Sequence, residues 1–390
     1  MASTEEDLRT ISAKEAEIYD RQLRVWGVDG QQRIASARVL LGGMHALNAE
    51  VAKNLVLAGV RTTLQDHEQV RGEDLSAQFF LAADDVGQNR ATASLARVQE
   101  LNPMVAVGSV TEALSVLPDA FFDDFDVVVL NGAPLDQQLR VDALCRKRGA
   151  AFFAVDAFGC DGIAFIDAGA EHHWVQTKTV QQKDDTAVDL LDDDDDAPAG
   201  EGAEAARMDA ARAAAAKRRK LEAPTETKTA QVMAYPSLAE SLASRWGGLG
   251  DTRRGEFHPV KKVFLATMLL RQFERDTGQL PAAADLPAFE KASLATLAEQ
   301  GVAPAVFGAA DIAAACRTAR AELSHVSAIM GGVVGQEVIK VIQRNEAPVH
   351  NWFLFDEGSG MQQLIPPVAQ AKVVIPQDEV IGLLSDSDDE

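Results

Sequence analysis

The stretch Arg38–Asp66, RVLLGGMHALNAEVAKNLVLAGVRTTLQD, decides the fold. Its opening RVLLG is a short apolar run entering a glycine turn, the pattern of a buried strand. From His45 to Gly59 the apolar residues Leu47, Val51, Leu55 and Ala58 recur at helical spacing, and Gly59 supplies the stop. Val60–Gln65 is a second strand, ending at Asp66. Strand, helix and strand in that order form a βαβ unit, and such units build parallel sheets with right-handed crossovers.

The alternation continues outward from this unit. Gln88–Leu101 predicts a helix, Asp126–Leu130 a buried strand, Leu135–Arg148 a helix and Ala151–Val155 another strand. Ile163–Lys178 has the short alternation of a hairpin. Further helices are expected at Pro259–Thr277, Leu286–Glu299 and Asp311–Arg320. Ser324–Gln343 is apolar nearly all round and contains Gly331, Gly332 and Gly335, so it predicts a buried helix that another backbone approaches closely. Trp352–Phe355 and Met361–Ile365 predict a terminal hairpin. The expected class is α/β, a doubly wound, Rossmann-like, mostly parallel sheet.

Composition breaks this pattern twice. Asp184–Asp196 holds eight acids and the tail Gln377–Glu390 six, neither with a base, so without them the formal charge of −22 falls to −8. The acidity thus belongs to two solvated segments, and nucleic-acid binding, which needs a basic surface, is disfavoured. The expected division is a flexible N-terminus (1–14), a first part of the folded domain (15–180), a disordered acidic and basic insertion (181–230), a second part (231–368) and an acidic tail (369–390). Met1–Arg9 is polar and predicts no signal peptide, and no apolar run is read as approaching the roughly 18 residues that span a bilayer, so no membrane partner is expected. The three cysteines, Cys145, Cys160 and Cys316, form neither a disulfide framework nor a CxxC pair, and no metal site is expected.

The glycine turn matches a dinucleotide-type phosphate cradle in outline only. Counting from Gly43, the later glycine positions of GxGxxG hold His45 and Asn48, whose side chains fill the space a phosphate needs. Gly43, Asp66 and Glu68 therefore read as vestiges of a nucleotide site, with Asp66 and Glu68 as exposed strand-end carboxylates.

Several ordered segments are specific. YDRQLRVWG (Tyr19–Gly27) resembles the N-terminal signature of the ubiquitin-like-protein activating enzymes, a ThiF/MoeB-like adenylation family. KNLVLAGV (Lys53–Val60), DHEQV (Asp66–Val70), AQFF (Ala77–Phe80), VGQNRA (Val86–Ala91), LNPMV (Leu101–Val105) and FDVVVLN (Phe125–Asn131) follow in that family's order. AIMGGVVGQEVIKVI (Ala328–Ile342) and FLFD (Phe353–Asp356) complete a resemblance over most of residues 15–365. The family pairs two adenylation domains, of which one keeps the ATP chemistry. The resemblance implies that Ser76 and Ala77 replace a nucleotide-holding Asn and Arg, Arg90 a nucleotide-contacting Lys, and Ala133 a magnesium-binding Asp. It thus implies the small, non-catalytic half of a SUMO-activating heterodimer, binding no cofactor itself, while a large catalytic subunit holds ATP and Mg and forms the SUMO thioester. The small subunit of the NEDD8-activating enzyme, a self-sufficient ThiF/MoeB-like homodimer and an interaction protein outside conjugation are the alternatives.

Three groups carry candidate roles, of which the resemblance implies the first. Arg21 of the YDRQ segment reaches in trans to the partner's ATP site, with Arg24 the weaker candidate. The cluster Lys217, Arg218, Arg219 and Lys220 reads as a nuclear-localisation signal for an import receptor, placing the protein in the nucleus. In the tail, Val380, Ile381, Leu383 and Leu384 beside acids look like a SUMO-interacting motif, with Ser385 and Ser387 as phosphorylation candidates. None of the three cysteines is expected to be catalytic, because a reactive thiolate needs nearby positive charge and Asp156 and Asp161 flank Cys160.

Overall fold

The structure, a computed structural model, describes residues 17–180, 225–253, 256–364 and 372–375. The N-terminal arm to residue 14, the basic cluster Lys217–Lys220 and the tail residues Val380, Ile381, Leu383, Leu384, Ser385 and Ser387 lie outside the described residues.

Helix α1 (Asp20–Ser36) precedes the βαβ unit of β1 (Arg38–Gly42), α2 (Ala46–Ala58) and β2 (Arg61–Gln65). Then come α3 (Arg90–Leu101), β3 (Val107–Val110), β4 (Val127–Asn131), α4 (Leu135–Arg148), β5 (Ala151–Phe158), β6 (Asp161–Asp167), β7 (His172–Val180) and β8 (Thr225–Met233). A short helix α5 (Leu238–Leu242) and the ribbon β9 (Gly250–Arg253) and β10 (Glu256–Pro259) lead to α6 (Lys262–Thr277) and α7 (Leu286–Glu299). α8 (Ala309–Thr318), α9 (Ser324–Gln343), β11 (Asn351–Asp356), β12 (Gly360–Leu364) and β13 (Lys372–Ile375) complete the order.

Eight strands form one sheet in the order β12-β11-β6-β5-β4-β1-β2-β3. The run from β5 to β3 is parallel, and β6, β11 and β12 add an antiparallel flank. Successive residues face opposite layers. Val39, Leu41, Val127, Val129 and Phe153 pack with α2 and α9, whereas Leu40, Val128, Leu130 and Phe152 pack with α4 and α6. Burial on both faces explains why these strands read as unbroken apolar runs. Chain order reverses at β1, between β2 and β4, so the crevice beyond the C-terminal ends of β1 and β4 is the place where such sheets bind ligands.

The glycines of α9 do what their spacing predicts. A Cβ on Gly331 would stand 2.4 Å from the Glu50 Cβ and 3.1 Å from the Leu47 carbonyl, and one on Gly335 would stand 3.0 Å from the Asn54 Cβ. Both glycines admit α2, while Gly332 faces open space. By length and composition α9 is long enough to cross a membrane, which corrects the reading that no run approached that length. Its packing on α2 makes it a core helix.

Two further readings change. Ile163–Lys178 is not a hairpin: β6 pairs with β5 and β11, and β7 belongs to a three-stranded sheet of order β13-β8-β7. A local pattern identifies a strand but does not name its neighbour, and β6 is buried from Gly162 to Asp167 between its two partners. Strand β8 begins at Thr225, within the stretch expected to be an insertion. Contacts divide the chain into a larger unit, to Trp174 and from Val232 to Val373, and a smaller one formed by Val175–Gln231 and the residues from Val374.

In the larger unit Asp142 and Asp167 are buried together. Asp142 accepts the Leu238 N–H at 2.8 Å, and Asp167 accepts Arg146 at 2.6 Å and the Gly169 N–H at 2.7 Å. Burial, and then the charge of Asp167, pushes Asp142 up to about 8. An unfolded Asp ionises near pH ~3.9, so the folded state holds a proton that the unfolded chain has lost, and stability falls as pH rises from about 4 to about 8. Asp142→Asn keeps an acceptor for Leu238 and removes the charge. It is expected to stabilise the protein by about 1–2 kcal/mol at pH 8 and by much less at pH 5, measured by chemical denaturation. A variant less stable than its parent at pH 8 would refute this.

Candidate functional site

The crevice at the sheet reversal has a volume of about 290 Å³ and is lined by the glycine turn, the end of β2 and the turn after β4. Gly43 has φ +79°, and a Cβ there would lie 2.0 Å from the Asn131 carbonyl, so only glycine fits. Gly132, with φ +71°, closes against the imidazole of His45, whose Nε2 would stand 2.9 Å from an added Cβ. Asn48 donates to the Gly42 and Gly43 carbonyls, both at 2.9 Å. The side chain that replaces the last glycine therefore ties the turn to its helix.

The start of α2 is already occupied. Glu322, from the link between α8 and α9, accepts the Ala46 N–H at 2.9 Å through Oε2 and pairs with His45 Nδ1 at 2.7 Å through Oε1. Burial alone would raise the Glu322 pKa, but His45, the Ala46 N–H and Arg90 outweigh it and hold it at about 2. Burial works against charge on His45, yet Glu322 prevails over both burial and Arg90 and raises its pKa above 6.5.

Arg90 of α3, 1% exposed, lies under this pair. It donates to Glu68 at 2.8 Å, stands 3.3 Å from Asp66 and 3.6 Å from Asp74, and touches the His45 ring at 3.0 Å. Burial would raise the Glu68 pKa, but Arg90, His45 and Arg71 together lower it. Asp66 is not the exposed strand-end carboxylate expected from the sequence. It is 3% exposed and accepts the Met44 N–H at 2.8 Å and the Glu68 N–H at 2.9 Å, joining the end of β2 to the glycine turn.

A triphosphate does not fit this arrangement. It would meet the carboxylates of Asp66, Glu68 and Glu322, and His45 and Arg90 are already engaged by them. Ala133, on the crevice wall, offers no ligand to a divalent ion. Among the described residues no group of three or more His, Cys, Asp or Glu is placed to hold a metal.

The other sequence candidates are dispersed. Ser76 ends a short 3₁₀ turn, Ala77 follows it, and Gln78 is buried, donating to Ser94 at 2.9 Å and accepting the Phe80 N–H at 2.7 Å. Burial raises the thiol pKa of Cys145 and of Cys316, and a hydrogen bond with Glu357 raises that of the exposed Cys160. Arg21 is exposed on α1 and makes no hydrogen bond or ion pair among the described residues. Arg24 pairs with Asp20 at 2.9 Å, on the surface. Tyr19 points inward, its hydroxyl accepting from Asn102 at 2.7 Å, while Val25, one turn beyond Arg21, is 80% exposed, with Ile18, Val28 and Leu57 also exposed. Glu322 was not singled out in the sequence, and no local pattern around it signals its role.

These positions fall inside a match to known proteins. The ThiF family profile matches residues 19–372. SUMO-activating enzyme subunit 1 of Rattus norvegicus is 35% identical over 362 residues, covering 92% of this chain and 96% of that protein. The protein of that name from Xenopus laevis is 37% identical over 358 residues, covering 90% and 95%, and the Homo sapiens protein 33% over 374 residues, covering 94% and 100%. The family expected from YDRQLRVWG and its companion segments is thus borne out. The chain belongs to the ThiF family, and its relatives there include SUMO-activating enzyme subunit 1 proteins.

Proposed function

We propose that this chain is the non-catalytic small subunit of a heterodimeric, ATP-dependent SUMO-activating enzyme. A larger partner binds ATP and Mg, adenylates SUMO and carries it as a thioester, and Arg21 of this chain enters the partner's ATP site. The observation that carries the reading is the filled phosphate end of this chain's own crevice, where Glu322 and His45 occupy the start of α2. That filling also argues against a self-sufficient adenylating homodimer. The names of the relatives favour SUMO over NEDD8 as the modifier.

Arg21 supports the second half of the proposal by being exposed and unpaired among the described residues, so its fork is free to meet phosphate oxygens. The exposed Ile18 and Val25, three residues before and four after Arg21, give that face the apolar character of an interface. The proposal extends to nuclear import through Lys217–Lys220 and an import receptor. It also extends to SUMO binding by Val380, Ile381, Leu383 and Leu384, tuned by phosphorylation of Ser385 and Ser387.

A thioester assay with ATP, Mg and SUMO tests the reading, using this chain alone, the large subunit alone, and both. Product is expected only from the mixture. ATP–pyrophosphate exchange by this chain alone, or an inactive mixture, would refute it.

A further inference from the structure

Glu322 stands where a strand–turn–helix cradle holds a phosphate. It reaches the start of α2 with both oxygens, Oε2 on the Ala46 N–H at 2.9 Å and Oε1 on His45 Nδ1 at 2.7 Å. From α3, Arg90 touches the same imidazole at 3.0 Å and adds its field. From the end of β2, Asp66 and Glu68 hold Arg90, with Asp74 behind them. The Glu322 carboxylate thus has the surroundings of a bound oxyanion: a helix N-terminus, an imidazole and a nearby guanidinium. Helix N-termini bind oxyanions through free N–H groups and the helix dipole. The occupant here is an anion of that kind, supplied by the chain itself.

From this we infer that Glu322 is an internal ligand of the phosphate position, a clasp that keeps the nucleotide turn closed to free oxyanions and pins the α8–α9 link to it. The clasp is independent of the subunit reading, since it needs neither a partner nor SUMO. Being tethered, the carboxylate competes at an effective concentration of about millimolar or more, so free phosphate does not displace it. Removing it leaves the Ala46 N–H and His45 without their anion, and a phosphate-class oxyanion takes its place.

The experiment follows thermal unfolding of the full chain against inorganic phosphate at constant ionic strength, for wild type, Glu322→Ala and Glu322→Gln. The wild-type midpoint is expected to be unmoved. That of Glu322→Ala is expected to rise by about 2–4 °C near saturation, with the Ala46 amide shifting in ¹⁵N spectra. Adding His45→Ala to Glu322→Ala should abolish the response. A folded Glu322→Ala that responds no more than wild type would overturn the inference. If that variant does not fold, the NMR titration of His45 decides. The clasp requires Glu322→Gln to lower the His45 pKa, and a value unchanged from wild type removes the clasp.

Discussion

Arg21→Ala, assembled with the large subunit, is expected to slow SUMO thioester formation by about 10²–10³-fold, the size of effect seen when one donor to developing negative charge is removed. Two features of the side chain set this expectation. It makes no hydrogen bond or ion pair among the described residues, so its removal breaks no contact among them. Stability should stay within about 0.5 kcal/mol of wild type, as for most surface substitutions. Its proposed target is the triphosphate of the partner, whose charge redistributes as pyrophosphate leaves, so the loss should fall on kcat of ATP–pyrophosphate exchange more than on KM for SUMO. Arg21→Lys should recover only part of the rate, because an ammonium is a point charge and not a planar fork. Arg24→Ala is the comparison. Arg24 is engaged by Asp20 in an exposed pair of small worth, so little rate should be lost with it. An intact Arg21→Ala heterodimer, verified by size-exclusion chromatography, that forms thioester at the wild-type rate would end the trans-acting role.

Most of the sheet was legible because its strands are buried on both faces. VLL within β1 and VVVL within β4 admit no polar interruption, and Leu135–Arg148 and Ser324–Gln343 were read with the bounds the structure gives. What escaped was decided by neighbours and not by local pattern. Val107–Val110 (VGSV) is an edge strand with one partner, β2, and has no apolar run to announce it. The two strands that overlap Ile163–Lys178 serve different sheets, and β6 is buried from Gly162 to Asp167 where alternation was expected, so only the tertiary fold assigns their partners.

The candidate site divides in the same way. His45 and Asn48 in glycine positions were visible in the sequence, and the structure gives each a task, His45 to hold Glu322 and Asn48 to hold the turn carbonyls. Glu322 was invisible because it lies 276 residues from Ala46 and reaches it only through the fold. Asp66 was misread for a related reason. A carboxylate at a strand end is exposed unless a neighbouring turn offers N–H groups, and here Met44 offers one from the glycine turn after β1. The charge of Arg90, read as standing in for a nucleotide-contacting lysine, is taken up by Asp66, Glu68 and Asp74.

Arg271→Ala is expected to be the most damaging single change in the fold, lowering stability by about 3–5 kcal/mol, the usual cost of removing one partner of a buried ion pair. Arg271, on α6, is 2% exposed and forks onto both oxygens of Asp156 on β5, with Nε 3.1 Å from Oδ2. It also donates to Glu274 at 2.6 Å, and Asp156 in turn accepts the Gly132 N–H at 3.1 Å. The alanine leaves Asp156 buried without its cation and opens a void beside Phe158, whose ring lies 5.4 Å from the guanidinium. Lost packing alone would be largely repaired by Arg271→Met, which refills the space without charge. Arg271→Met should therefore remain within about 1–2 kcal/mol of Arg271→Ala if the unpaired carboxylate dominates. The pair also fixes the floor of the crevice through Gly132, so amide exchange at Gly132 should accelerate in both variants beyond what their global unfolding explains. A loss under about 1 kcal/mol for Arg271→Ala would mean that water reaches Asp156 in place of the guanidinium, and the pair would then be a result of the packing of α6 on β5 and not its cause.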